Sequence, residues 1–268
     1  MKSFMTRLIS GIVLLAIIIG AGITGGLILF LFTLVISLIG YWEFCQVFQI
    51  EKKVPGILGL FASLLYYVAV YYEVSMLVAG PMLLITYLMV LMAVYVFTFP
   101  KYKTEEIMAA YFGVGYVSLM LSFLYQTRLL SGSGADGKLL FFLIFICSWG
   151  CDTCAYAVGM LIGKHKLAPV LSPKKSIEGA VGGVVGAALL GYLYGLVLQI
   201  PPGVCGVLCG VGAVVSQIGD LAASAIKRNH NIKDYGHLIP GHGGILDRFD
   251  SVIFTAPIIW ILATWIMK

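Results

Sequence analysis

Residues Thr24 to Trp42 read TGGLILFLFTLVISLIGYW, nineteen residues without a charged side chain. A helix rises about 1.5 Å per residue, so this run reaches about 28 Å, close to the thickness of a bilayer's hydrocarbon core. A membrane barrel strand needs only about ten residues and alternates apolar with polar positions, and this stretch does not alternate. It reads as a transmembrane helix ending on Tyr41 and Trp42, whose amphipathic rings suit the membrane interface.

The same pattern continues along the chain. Of its 268 residues 60% are hydrophobic and 11% charged, whereas soluble domains are roughly half apolar and a quarter charged. Apolar runs at about 8–22, 24–42, 56–72, 76–98, 107–125, 139–163, 177–199, 203–226 and 251–267 are each long enough to span. The expected fold is therefore all-α, a polytopic membrane bundle of about nine transmembrane helices. The first run follows Lys2 and Arg7 as in a signal peptide, but no small-x-small cleavage site precedes the next run, so a retained helix is expected.

Nine spans with the N-terminus inside place Lys2, Arg7, Lys52, Lys53, Lys101, Lys103, Lys164, Lys166, Lys174, Lys175, Lys227, Arg228, Lys233 and Arg248 on one side, fourteen of the seventeen Lys and Arg residues. The other side holds only Arg128, Lys138 and Lys268. Such a bias marks the first side as cytoplasmic. The net charge of +5 then describes a basic membrane surface suited to anionic headgroups and phosphates, with no sign of nucleic-acid binding.

The acids divide the chain. Glu43, Glu51, Glu73, Glu105, Glu106 and Asp136 fall in loops or at span ends, where solvation suffices. Asp152, Glu178, Asp220, Asp234, Asp247 and Asp250 crowd the second half, several inside apolar runs. An ionisable group at bilayer depth costs about 3 kcal/mol on insertion scales and is by default functional. Hence the expected organisation is a transmembrane scaffold, 1–138, followed by a catalytic region, 139–268. In that region the pairs Gly159/Gly163, Gly179/Gly183 and Gly206/Gly210 have the spacing that lets membrane helices approach closely. Cys151 and Cys154 form a C-x-x-C without a second ligand pair, so packed thiols are expected rather than zinc.

Asp247 and Asp250, three apart at the entrance to the last run, share a helical face, and Asp220 ends the preceding one. Crowded carboxylates either bind a hard cation such as Mg²⁺ together with substrate phosphates or pair with Arg228, Lys233 and Arg248. Asp152 could complete that metal set or hold a lysine. Between Asp234 and Asp247 lies Pro240-Gly241-His242-Gly243-Gly244, whose glycines would let backbone N–H groups approach an anion. Ser172 before Pro173 reads as a helix N-cap with proline at the first helical position. Lys174 and Lys175 would then ride on the positive end of the seventh span, next to Glu178, as an anion site.

The stretch Ser224-x-Ile-Lys-Arg-x₄-Lys-Asp-x-Gly-x-Leu-Ile-Pro-Gly-His-Gly-Gly-Ile-x-Asp-Arg-Phe-Asp250, as written in the sequence, spaces its last Asp one turn after Asp247. With Lys164-His165-Lys166 and Ser172 to Gly179, it resembles the signature of the CDP-diacylglycerol synthases, or phosphatidate cytidylyltransferases. That resemblance implies a nucleotidyltransferase that moves the cytidylyl group of CTP to phosphatidic acid, releasing pyrophosphate, with Mg²⁺, in phospholipid biosynthesis. It implies metal ligands Asp220, Asp247, Asp250 and Asp152, and a catalytic set of Lys227, Arg228, Lys233, Asp234, His242 and Arg248. Ser172, Lys174, Lys175, Glu178, Gly243 and Gly244 would bind substrate. A homodimer in a bacterial inner membrane, its site facing the cytoplasm, is the family expectation. A lipid or polyprenol kinase shares the bundle and the metal–nucleotide chemistry. A secondary transporter would show related halves with broken helices in both, against the asymmetry seen here.

Overall fold

The computed structural model describes residues 2–72, 76–132 and 135–266, so Glu73 and Lys268 lie outside the described residues. Among the described residues nine helices are long and apolar enough to cross a membrane. They are α1 (Lys2–Thr24), α2 (Gly26–Val47), α3 (Val54–Tyr71), α4 (Met76–Phe97), α5 (Thr104–Leu129), α6 (Gly137–Ile162), α7 (Ile177–Leu198), α8 (Pro202–Asn229) and α9 (Leu246–Ile266). Among the described residues sheet is confined to two short antiparallel ribbons, Ser131–Gly132 with Ala135–Asp136 and Lys166–Ala168 with Ser172–Ser176. The all-α reading holds.

Two expectations about helix starts change. The seventh span begins at Ile177, capped by Ser176, whose hydroxyl accepts from the Gly179 amide at 3.1 Å. Ser172 and Pro173 belong instead to the ribbon, because a hydroxyl further along the chain supplies the cap and leaves the preceding residues free to pair as strand. The last helix starts at Leu246 rather than near 251, so Asp247 and Asp250 lie within its first turns.

Contacts gather into two units, Met1–Ser122 with Asp234–Arg248, and Phe123–Lys233 with Phe249–Lys268. This division differs from a split at residue 138, since the loop before α9 packs with the N-terminal helices. In the first unit, α1 and α2 are separate helices because Gly25 and Gly26 have φ of 64° and 52°, a left-handed conformation natural only to glycine. Its core is aromatic, with Tyr41, Phe44, Tyr66 and Tyr67 fully buried. Some of its polar tips are paired: Tyr41 donates to the Ala110 carbonyl at 3.3 Å, the Tyr66 hydroxyl meets Ser122 at 3.2 Å, and Ser63 meets Ser118 at 2.7 Å.

The second unit packs through small residues. A Cβ on Gly179 would lie 3.2 Å from the Gly159 Cα, and one on Gly183 would lie 3.0 Å from the Cys151 carbonyl, so α6 and α7 touch backbone to backbone as the glycine spacing predicts. Gly206 and Gly210 pack likewise on Ala188 of α7. All six cysteines are free thiols, five of them buried. Apolar side chains such as Leu65, Val185 and Leu189 point outward, as a lipid-facing surface requires.

Candidate active site

In the second unit a cavity of about 460 Å³ opens between α6, the Lys166–Ser176 ribbon, the start of α7 and α8. Asp152 reaches it from α6, just after a π-helical turn at Ile146–Gly150. Such turns add a residue to the helix and occur often at functional sites. Lys174 and Lys175 enter from the ribbon, and Gln217 and Asp220 from α8. Tyr156, Met160 and Leu167 form an apolar wall. The polar groups are held in place: Lys175 is ion-paired with Asp220, and Gln217 donates to the Ala180 carbonyl at 3.0 Å. Lys174 is exposed at the rim.

Asp250 on α9 is subject to the charges of Asp220, Lys227 and Asp152. The Lys227 ammonium lies 3.9 Å from its Oδ2, and the two side chains are 11% and 13% exposed. A close approach makes this possible: a Cβ on Gly219 would sit 3.0 Å from the Asp250 carbonyl oxygen. Asp152, Asp220 and Asp250 thus form one acidic group answered by Lys175 and Lys227. Among the described residues no set of three or more His, Cys, Asp or Glu side chains is arranged to hold a metal ion.

The loop before α9 is organised separately, within the first unit. The Asp247 Oδ2 accepts from the amides of Tyr235 at 2.7 Å and Gly244 at 3.0 Å. Gly243, at φ 85°, takes a left-handed turn against this carboxylate. Glu43 of α2, 4% exposed, accepts from the amides of Ile245 at 3.0 Å and Leu246 at 2.8 Å. His242 meets the Ser10 hydroxyl through Nδ1 at 2.8 Å, and Ser10 donates to the Pro240 carbonyl at 3.0 Å. Burial, then the charges of Arg248 and Arg7, push the His242 imidazole below its usual range, so it is neutral at pH 7.

The structure therefore sorts the residues singled out in the sequence. Asp152, Lys174, Lys175 and Asp220 share the cavity, with Asp250 and Lys227 beside them. Glu178 turns instead to the preceding segment, accepting from the Lys164 amide at 3.1 Å and meeting the His165 Nδ1 at 2.6 Å. Ser172 lies in the ribbon, while Arg228, Lys233 and Asp234 are exposed, Arg228 donating to the Ile232 carbonyl at 3.0 Å. Gly244 packs against Glu43 and Gly243 against Asp247. The sequence reading missed Gln217, Ser176 and Glu43. Glu43, expected at a solvated span end, is instead buried because α2 continues past it to Val47.

Against known proteins, the family model described as the cytidylyltransferase family matches residues 5–266. A phosphatidate cytidylyltransferase of Staphylococcus aureus is 33% identical over 269 residues, covering 96% of this chain and 97% of its own. The phosphatidate cytidylyltransferases of Staphylococcus epidermidis and Staphylococcus saprophyticus are 32% and 31% identical, with the same coverage.

Proposed function

The chain belongs to the cytidylyltransferase family, and on that premise we propose that it transfers CMP from CTP to phosphatidic acid, giving CDP-diacylglycerol and pyrophosphate. One observation carries the assignment of the site: the carboxylates Asp152 and Asp220 and the lysines Lys174 and Lys175 line a cavity that also has an apolar wall. A lipid phosphate needs such a place, with charge for its head and grease for its chains.

In the reaction a phosphate oxygen of phosphatidic acid forms a bond to the α-phosphorus of CTP as the bond to the bridging oxygen of pyrophosphate breaks. The nucleophile is already an anion, so no strong base is required. The protein's task is positioning and charge neutralisation. Lys174, with Lys175, takes the lipid phosphate at the cavity rim, where Tyr156 and Met160 offer apolar surface. Lys227, Arg228 and Lys233 take the triphosphate and the departing pyrophosphate.

Three acids gathered at one site repel each other, so the donor set fits a hard divalent cation completed by substrate oxygens. Asp220 and Asp250, with Asp152, would hold Mg²⁺. Bound there, the ion would neutralise phosphate charge at the reacting centre. Asp247, whose Oδ2 is spent on two backbone amides, serves instead to organise its loop. The basic-residue bias supports a cytoplasmic site in a bacterial inner membrane, where CTP is available.

Incubating the purified chain with phosphatidic acid and CTP labelled at the α-phosphate should place label in CDP-diacylglycerol, with one pyrophosphate released per lipid. Transfer of γ-label to the lipid would identify a kinase and overturn the assignment.

A further inference from the structure

The glycine-rich loop before α9 has the look of a substrate phosphate cradle, yet the anions it wraps belong to the protein. Gly244 sits against the Glu43 carboxylate. A Cβ on Gly236 would come within 2.5 Å of the Glu43 Oε1 and 2.8 Å of its Cδ. The two carboxylate oxygens divide the work, Oε1 accepting from Ile245 and Oε2 from Leu246. These amides open α9, where N–H groups have no partner within the helix and the helix dipole favours an anion. Asp247 fills the neighbouring position by accepting from Tyr235 and Gly244. A charged side chain 4% exposed in α2 is otherwise expensive there, and the amide bonds from Ile245 and Leu246 offset part of that cost.

We propose that Glu43 is a positioning residue for the reaction: its carboxylate occupies the anion place of the glycine-rich loop and sets the backbone from Tyr235 to Arg248. The loop's glycines are there to admit Glu43, and substrate phosphate is held elsewhere. Because Asp247 and Arg248 follow directly on the amides that Glu43 holds, a loosened carboxylate displaces them while the cavity residues of the second unit keep their own contacts. This inference rests on the cytidylyltransfer reading.

Glu43→Gln tests it, since the amide is isosteric but offers one acceptor oxygen and no charge. Losing a charge-assisted pair of bonds to the loop should lower kcat by about tenfold or more, with KM for CTP and for phosphatidic acid each within about threefold. Hydrogen exchange supplies a readout independent of turnover. The amides of Ile245 and Leu246 should exchange about tenfold faster or more, with α3 and α7 amides unchanged. Glu43→Asp, which keeps the charge, should recover part of kcat. A kcat within twofold of wild type in the Gln variant, or unchanged exchange at Ile245 and Leu246, overturns the proposal. So does a uniform rise in exchange across the protein, or failure of both variants to fold, because either marks a general structural role. If the wild-type chain makes no CDP-diacylglycerol the functional reading fails, while the exchange measurement still decides whether Glu43 holds the loop.

Discussion

Lys227→Met removes the cation that answers Asp250. The two groups are 3.9 Å apart and little exposed, and unit charges at that distance attract by about 4 kcal/mol at an effective dielectric constant of about 20. Methionine keeps most of the apolar stem, so packing changes little and the loss is mainly electrostatic. Asp250 would be left facing Asp220 and Asp152 with its nearest lysine gone. Breaking one partner of a buried pair costs about 3–5 kcal/mol, and the variant should lose about 3 kcal/mol of unfolding free energy in mixed micelles titrated with denaturing detergent. The double variant Lys227→Met with Asp250→Asn removes the stranded charge and should regain at least half of that loss while remaining inactive. A single variant as stable as wild type, or a double variant no more stable than the single, would refute the idea that Lys227 neutralises this acidic group.

Asp220→Asn should fold yet lose turnover by a factor of about a hundred or more, and an activity close to wild type at an unchanged, limiting Mg²⁺ concentration would take Asp220 out of the cation site. Lys174→Gln, at the exposed rim, should weaken equilibrium binding of phosphatidic acid about tenfold and CTP much less, and the opposite bias measured by calorimetry would invert the assignment of the two phosphates. In a cysteine-free background, cysteine at Gly203, where added bulk meets open space, should react with an impermeant thiol reagent from outside intact cells. Cysteine at Lys52 should react only after permeabilisation, and the reverse pattern would reverse the orientation. His242 titrates below its usual value of 6.5 because of burial, Arg248 and Arg7, so the unfolded chain binds its proton more readily and stability falls as pH drops from 6.5 through the folded value. Removing one of those charges in Arg7→Gln should raise the imidazole titration seen by NMR and move the onset of its protonation in the folded protein to higher pH; a titration left in place excludes Arg7 as a cause.

The spans were legible because burial in lipid demands long uncharged runs, and Thr24–Trp42 is one of many. The start of α9 was not, because the residues from Leu246 to Asp250 look polar until Glu43, some two hundred positions earlier, is known to accept from their backbone. The same distance hid the cap of α7, where Ser172-Pro173 and Ser176 compete by local rules alone and pairing of Ser172 with Ala168 in the ribbon decides between them. Asp152, Asp220 and the ribbon lysines stood out because charge is scarce in this chain. Their gathering around one cavity depends on glycines at 159, 179 and 183 letting α6 and α7 close up, which spacing in the sequence does suggest.

Acidic residues in this protein serve two purposes that composition cannot separate. Glu43 and Asp247 are surrounded by backbone N–H groups, donors that are fixed, uncharged and satisfied without exchange, which suits a carboxylate that must stay put. Asp220 and Asp250 face lysines, and both the Lys175 and Lys227 partners sit on long stems that can swing away. A site that admits a cation and two polyanions in turn needs charges that can be traded: a lysine released from an aspartate can take a phosphate, and the freed aspartate can take a cation, with little net change in local charge. The Lys175–Asp220 pair, at the cavity wall, is where that exchange would be felt first. Replacing both partners at once, Lys175→Met with Asp220→Leu, should therefore leave the fold intact, as buried pairs exchanged for apolar groups often do, while abolishing turnover. A fold that collapses in this double variant would mean that the pair is a structural tie, with no part in exchanging ions.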